Sequence, residues 1–102
     1  MRTGNLFENA DPPAEGERFD TLLDHRKLQV ERILSSAMPD ATEYVQPQDE
    51  WVALLRGAAT LEVSGARVEL KAGDSLFLPA LTPHRVVETS SGALWLAVHL
   101  HP

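Results

Sequence analysis

The sequence predicts an all-β domain of the sandwich or barrel type, and three observations carry that prediction. Apolar and polar residues alternate with period two over several short stretches, each bounded by Gly, Pro, Asn, Asp or Ser. Turn signals recur at close spacing from Lys27 to the C-terminus. No window of helical period is long enough to set against them. Many short strands without a helix indicate two packed sheets or one closed barrel.

The elements follow in order. Asp11-Pro12-Pro13-Ala14-Glu15-Gly16 is a breaker cluster, read as a loop after an edge strand at Leu6-Phe7. Glu17 to Ser36 reads as two strands turning at Asp24 to Lys27, with Leu28 and Val30 on one face and an irregular end where Arg32 breaks the parity. Pro39 and Pro47 belong to loops or strand ends, because proline removes a ladder donor. Trp51 to Leu55 is a continuous apolar strand ended by Arg56-Gly57. Ala59–Val63 and Val68–Leu70 form a hairpin about Ser64-Gly65. Lys71 to Asp74 is a tight turn before a strand at Ser75–Leu78. Pro79 to Pro83 is too proline-rich for a central strand. His84–Thr89 and Ala93–His101 are the last two strands, joined by Ser90-Ser91-Gly92.

At 102 residues the chain is one domain, near the lower end of what folds comfortably alone. Its formal net charge is −6, and no cluster of Lys or Arg occurs. Nucleic acid and anionic membrane surfaces are therefore poor partners. Cysteine is absent, which excludes disulfides, thiolate metal sites and thiol catalysis. The N-terminal residues lack the apolar run of a signal peptide, and no apolar stretch is long enough to span a bilayer. The expectation is a soluble, cytoplasmic protein.

Two polar residues stand out in apolar strands. Glu50 lies in the stretch DEWVALLRG, and His84 in GDSLFLPALTPHRV. If Glu50 points inward, the strand period sends Val52 and Leu54 inward too, and His84 shares a face with Val86. A buried carboxylate is costly unless paired or coordinated. Glu50 and His84 are therefore expected to face each other across one internal pocket.

The spacing within these two stretches, Glu50-x6-Gly57 and Gly73-x5-Pro79-x4-His84, resembles the paired motifs of the cupin superfamily, in particular its small single-domain members. The resemblance runs from about Tyr44 to His101, and more loosely back to Phe19. It implies a double-stranded β-helix, the jelly-roll barrel, as a single domain over residues 1–102, with residues 1–36 as N-terminal strands and loops and 37–102 as the barrel core. It also implies a metal site in the barrel mouth. On that pattern Glu50 and His84 keep their places, while Tyr44 and Gln46 stand where histidines are usual. Leu81 stands where glycine is usual, and Glu88 where asparagine is common.

The resemblance suggests Gln46, Glu50 and His84 as ligands of a divalent metal such as Mn, Fe, Zn or Ni; oxygen donors suit such ions better than copper. Without a metal, Glu50 and His84 form a hydrogen-bonded pair that can act as catalytic acid and base. Tyr44 is expected to be a pocket wall that orients a substrate, because an unperturbed phenol ionises only near pH 10. Two readings of the last strand are open. One makes Leu94, Leu96, Val98 and Leu100 the core face, leaving His99 and His101 solvated or at a subunit contact, and it is the preferred one. The other turns Trp95 and His99 into the pocket as substrate-binding groups.

Parity places Trp51 opposite Glu50, on an outer face that a second subunit would cover, so a homodimer is expected. Three functions remain in play: a metal-dependent enzyme such as a dioxygenase or isomerase, a metal-free acid–base enzyme, and a small-molecule binding module.

Overall fold

The computed structural model describes residues 1–102. Eight strands form: β1 (Glu17–His25), β2 (Leu28–Ser35), β3 (Asp49–Arg56), β4 (Ala58–Val63), β5 (Ala66–Lys71), β6 (Ser75–Leu78), β7 (His84–Thr89) and β8 (Ala93–Leu100). They make a five-stranded sheet in the order β1-β2-β8-β3-β6 and a three-stranded sheet in the order β5-β4-β7. All pairings are antiparallel. The two sheets face each other as the jelly roll the motifs imply. No helix is long and apolar enough to cross a membrane.

The chain changes sheet at the two motif glycines. Gly57 sits between β3 and β4 with φ +88°, and a Cβ there would lie 2.6 Å from Ser90 Oγ and 3.0 Å from Ala93 Cα. Conformation and space both demand glycine at this corner. Gly73, φ +97°, lies in the turn from β5 to β6, where its N–H donates to Leu54 O at 2.7 Å and Asp74 Oδ2 accepts from the Lys71 N–H at 2.8 Å. Leu81 has φ +65° without being glycine, which accounts for the usual preference at that position.

The core lies between the sheets. Val52, Leu54, Trp95, Ala97 and Ile33 enter it from the larger sheet, and Ala59, Leu61 and Leu70 from the smaller.

Three expectations are corrected. Leu6-Phe7 lies in a turn rather than a strand. The turn between β1 and β2 is only Arg26-Lys27, and the irregularity falls on β1, as a bulge between Thr21 and Leu23, instead of at the end of β2. Arg32 does not break the parity of β2. It takes its outward place because the N-terminal segment buries it, with Leu6 O, Glu8 O and Asn9 O accepting from its guanidinium and Asp20 pairing with it at 2.7 Å.

Candidate functional site

A cavity of about 110 Å³ lies between the sheets, lined by fourteen residues of which eight are hydrophobic. The register decides which polar groups reach it. Glu50 pairs with His99 across β3 and β8, and Val52 pairs with Ala97, so Glu50 and His99 share one face. Val63 pairs with His84 and Leu61 with Val86, which brings His84 in from the opposite sheet. Tyr44 is bridged to His84 through both backbones and stacks on its ring, with centroids 5.9 Å apart.

The turn before β7 is braced from below. The Leu81 N–H donates to Gln46 O at 2.7 Å, and the Ala80 N–H donates to Asp49 Oδ1 at 2.8 Å. These bonds hold Gln46 beside Glu50, and Gln46 Nε2 donates to Glu50 Oε1 at 3.0 Å.

The histidine tautomers follow from their partners. His84 Nδ1 lies 2.9 Å from Thr82 O, which can only accept, so Nδ1 carries the hydrogen. His84 Nε2 is left with a lone pair in the neutral ring, 3.7 Å from Glu50 Oε1, so the hydrogen bond expected between these two residues is not made. His99 is the reverse. Its Nε2 lies 2.8 Å from Glu31 Oε1 and donates to it, with Glu50 Oε2 at 3.8 Å. The Glu31 hydrogen bond pushes the His99 pKa up, against the opposing effect of burial. Glu50 thus stands between a proton acceptor and a proton donor.

The residues singled out in the sequence separate as follows. Glu50, His84, Tyr44, Gln46, Trp95 and His99 all line this one cavity. The preferred reading of the last strand was wrong: Trp95, Ala97 and His99 face inward, at 3%, 0% and 5% exposure, while Leu100 is 55% exposed. His101 lies beyond β8 and bonds Gln29 at 3.0 Å.

Two cavity carboxylates escaped sequence reasoning, Glu17 and Glu31. Glu17 accepts from Ser35 Oγ at 2.7 Å, and Ser35 Oγ accepts from the Trp95 indole at 3.0 Å. Burial raises the Glu17 pKa. Burial also raises that of Tyr44, so its hydroxyl stays protonated and serves as a donor.

The residues as placed do not fit a three-ligand metal centre. Gln46 turns its amide N–H, not its oxygen, towards Glu50, and His99 Nε2 is committed to Glu31. Of the three expected ligands only His84 Nε2 and the Glu50 carboxylate remain as open donors, and no group of three His, Asp or Glu residues is arranged to hold a metal ion.

Comparison with known proteins agrees with this architecture. The Cupin_2 family model, described as a cupin domain, matches residues 35–99. The chain belongs to the cupin family. A similar solved structure, from Ralstonia eutropha JMP134, is provisionally described as a mannose-6-phosphate isomerase; it shares 40% identity over 100% of both chains with a TM-score of 0.88. An RmlC-like cupin from Desulfovibrio desulfuricans is 16% identical over 98% of this chain and 96% of its own, with a TM-score of 0.84. Another from Shewanella frigidimarina NCIMB 400 is 17% identical over 90% and 82%, with a TM-score of 0.78. These two share the cupin fold alone. A search of curated proteins gives no match.

Proposed function

We propose that this cupin binds a small molecule between its sheets and moves a proton on it, an isomerase-like reaction that its own side chains perform. The carrying observation is the placement of the buried Glu50 carboxylate 3.7 Å from His84 Nε2, the ring nitrogen left free to accept a proton. His84 would take the proton from one substrate atom, and Glu50 would stabilise the imidazolium so formed. The His84 imidazolium would return that proton to a neighbouring atom as the double bond shifts and so end the cycle neutral, while His99 Nε2–H stays bonded to Glu31. The description of the Ralstonia protein as an isomerase supports the reaction class.

Exchange of substrate protons with D2O, followed by ¹H NMR, tests this reading. A compound that binds the cavity should exchange a carbon-bound proton in the presence of the protein. His84→Gln should slow that exchange by about 100-fold or more while binding persists. Binding without exchange would make the protein a binding module instead. Stoichiometric uptake of Mn, Fe, Zn or Ni by untagged protein would replace the metal-free mechanism with a metal-dependent one.

The working unit in this proposal is a homodimer. Phe77, Trp51, Val98, Val30 and Leu23 pair in register one after another, so an apolar row crosses the outer face of all five strands. The row spans about 19 Å at the usual strand spacing. Trp51 and Phe77 remain 41% and 56% exposed. A two-fold contact would lay this row on its own copy, at the centre of an interface of about 800 Å² per partner.

A further inference from the structure

The cavity is rich in hydrogen-bond acceptors and has no cation of its own other than histidine. Its lining includes Glu17, Glu31 and Glu50 but no Lys or Arg. The nearby arginines turn away. Arg85 pairs with Glu62 at 3.1 Å, while Arg18 and Arg32 pair with Asp20 at 3.0 and 2.7 Å. Of the three carboxylates, Glu31 is answered by His99 at 2.8 Å. Glu50 is more than nine-tenths buried; Gln46 Nε2 donates to its Oε1, but its Oε2 accepts no hydrogen bond from the protein, with His99 Nε2 3.8 Å away. Glu17 is met only by the Ser35 hydroxyl. A buried and a half-buried carboxylate in this condition favour a charged donor. Phe19, Tyr44 and Trp95 line the same space and offer the aromatic surface that organic cations favour.

We propose that the natural ligand is a small organic ammonium compound, its cation received by the Glu17 and Glu50 carboxylates and its apolar part lying against Phe19, Tyr44 and Trp95. This rests on the reading of the cavity as a ligand site and adds the ligand's charge. A volume of about 110 Å³ holds roughly seven to eleven water-sized groups, which limits the buried part to that many heavy atoms. A phosphorylated sugar, the class named in the description of the Ralstonia protein, would set its phosphate against three carboxylates with no Lys or Arg to receive it.

Benzylamine, benzyl alcohol and benzoate share one shape, suit this volume and differ in charge. Each is titrated into the protein at pH 7 while the Trp95 indole and His84 ring signals are followed by NMR. Benzylamine should bind at least tenfold more tightly than the alcohol, as a charge-assisted contact requires, and benzoate should not bind. Glu17→Gln should weaken benzylamine several-fold and leave the alcohol unchanged. If the alcohol or benzoate binds as tightly as the amine, the ammonium assignment falls and the cavity remains a ligand site. An amine preference that Glu17→Gln leaves intact removes Glu17 from the assignment and overturns it as stated. If none of the three moves the cavity signals at millimolar concentration, the ligand-site reading fails along with it.

Discussion

Replacing Asp20 by Asn should loosen the N-terminal segment from the barrel, and the structure sets the size of the effect. Arg32 rises from the outer face of β2 with 9% of its side chain exposed, and Asp20, 32% exposed, is the only anion it meets. Its Nε and Nη2 donate to Asp20 Oδ2 at 3.1 and 2.7 Å, Nη1 donates to the carbonyls of Leu6 and Glu8, and Nη2 also reaches the Asn9 carbonyl. Removing one partner of a fully buried ion pair costs about 3–5 kcal/mol, whereas an exposed pair is worth about 0–1 kcal/mol. With one buried and one partly open member, Asp20→Asn should cost about 2 kcal/mol. For a domain of this size that lowers Tm by roughly 8–16 °C. The sign with pH is fixed as well. Hydrogen bonds from Arg32 and then Arg18 hold the Asp20 carboxyl below its usual value of 3.8. Its contribution is complete above that value and is lost as pH falls through the lower folded one. Calorimetry of wild type and variant at pH 7 and in acid should therefore show a gap that closes at low pH. A Tm loss under 2 °C at pH 7, or a gap that persists in acid, would refute the reasoning.

Three further outcomes follow from other parts of the molecule. Trp51→Glu places a charge at the centre of the apolar row and should weaken dimerisation by about 100-fold or more; a strict monomer for the wild type in micromolar light scattering would remove the interface. Burial raises the folded pKa of Glu17 above 4.5, so its ionised form opposes folding as pH rises through and beyond that folded value. Glu17→Gln should accordingly stabilise the protein in urea titrations at pH 7 and change little at pH 4, and a loss at pH 7 would contradict this. Gly57→Ala meets Ser90 Oγ and the Ala93 backbone at an unfavourable φ, so a cost of about 2 kcal/mol or more is expected, and a Tm within 2 °C of wild type would count against the corner's role.

Most of the fold was legible because β-sheets announce themselves through turns. Gly57, Ser64-Gly65, Gly73 and Gly92 all have positive φ in the structure, and the strand assignments between them depend on little else. Glu50 was legible for a different reason: a carboxylate directly before the apolar run from Trp51 to Leu55, on the same face as Val52 and Leu54, breaks the expected composition of that face. Glu17, Glu31 and the orientation of His99 were not. On β2 and β8 the leucines and valines line the outer face, where Val30 pairs with Val98 and Leu28 with Leu100, while Glu31 and His99 turn inward. Period two reveals that a strand has two faces. It does not reveal which one is inside when the outer face is also apolar, as it is here, where Leu34 is fully buried on that face and a second copy would cover Trp51. Arg32 added to the difficulty, since a buried arginine on an outer face looks in sequence like a break in the strand.

The proposed acid–base centre is tested most directly by long-range ¹H–¹⁵N NMR of the histidine rings in the ligand-free protein. The Thr82 carbonyl at Nδ1 and the Glu31 carboxylate at Nε2 require opposite arrangements in the two rings. His84 should be the Nδ1–H tautomer when neutral, with Nε2 unprotonated towards Glu50, and His99 should carry its hydrogen on Nε2. A neutral His84 found as the Nε2–H tautomer would leave Glu50 with no base opposite it and would contradict the account.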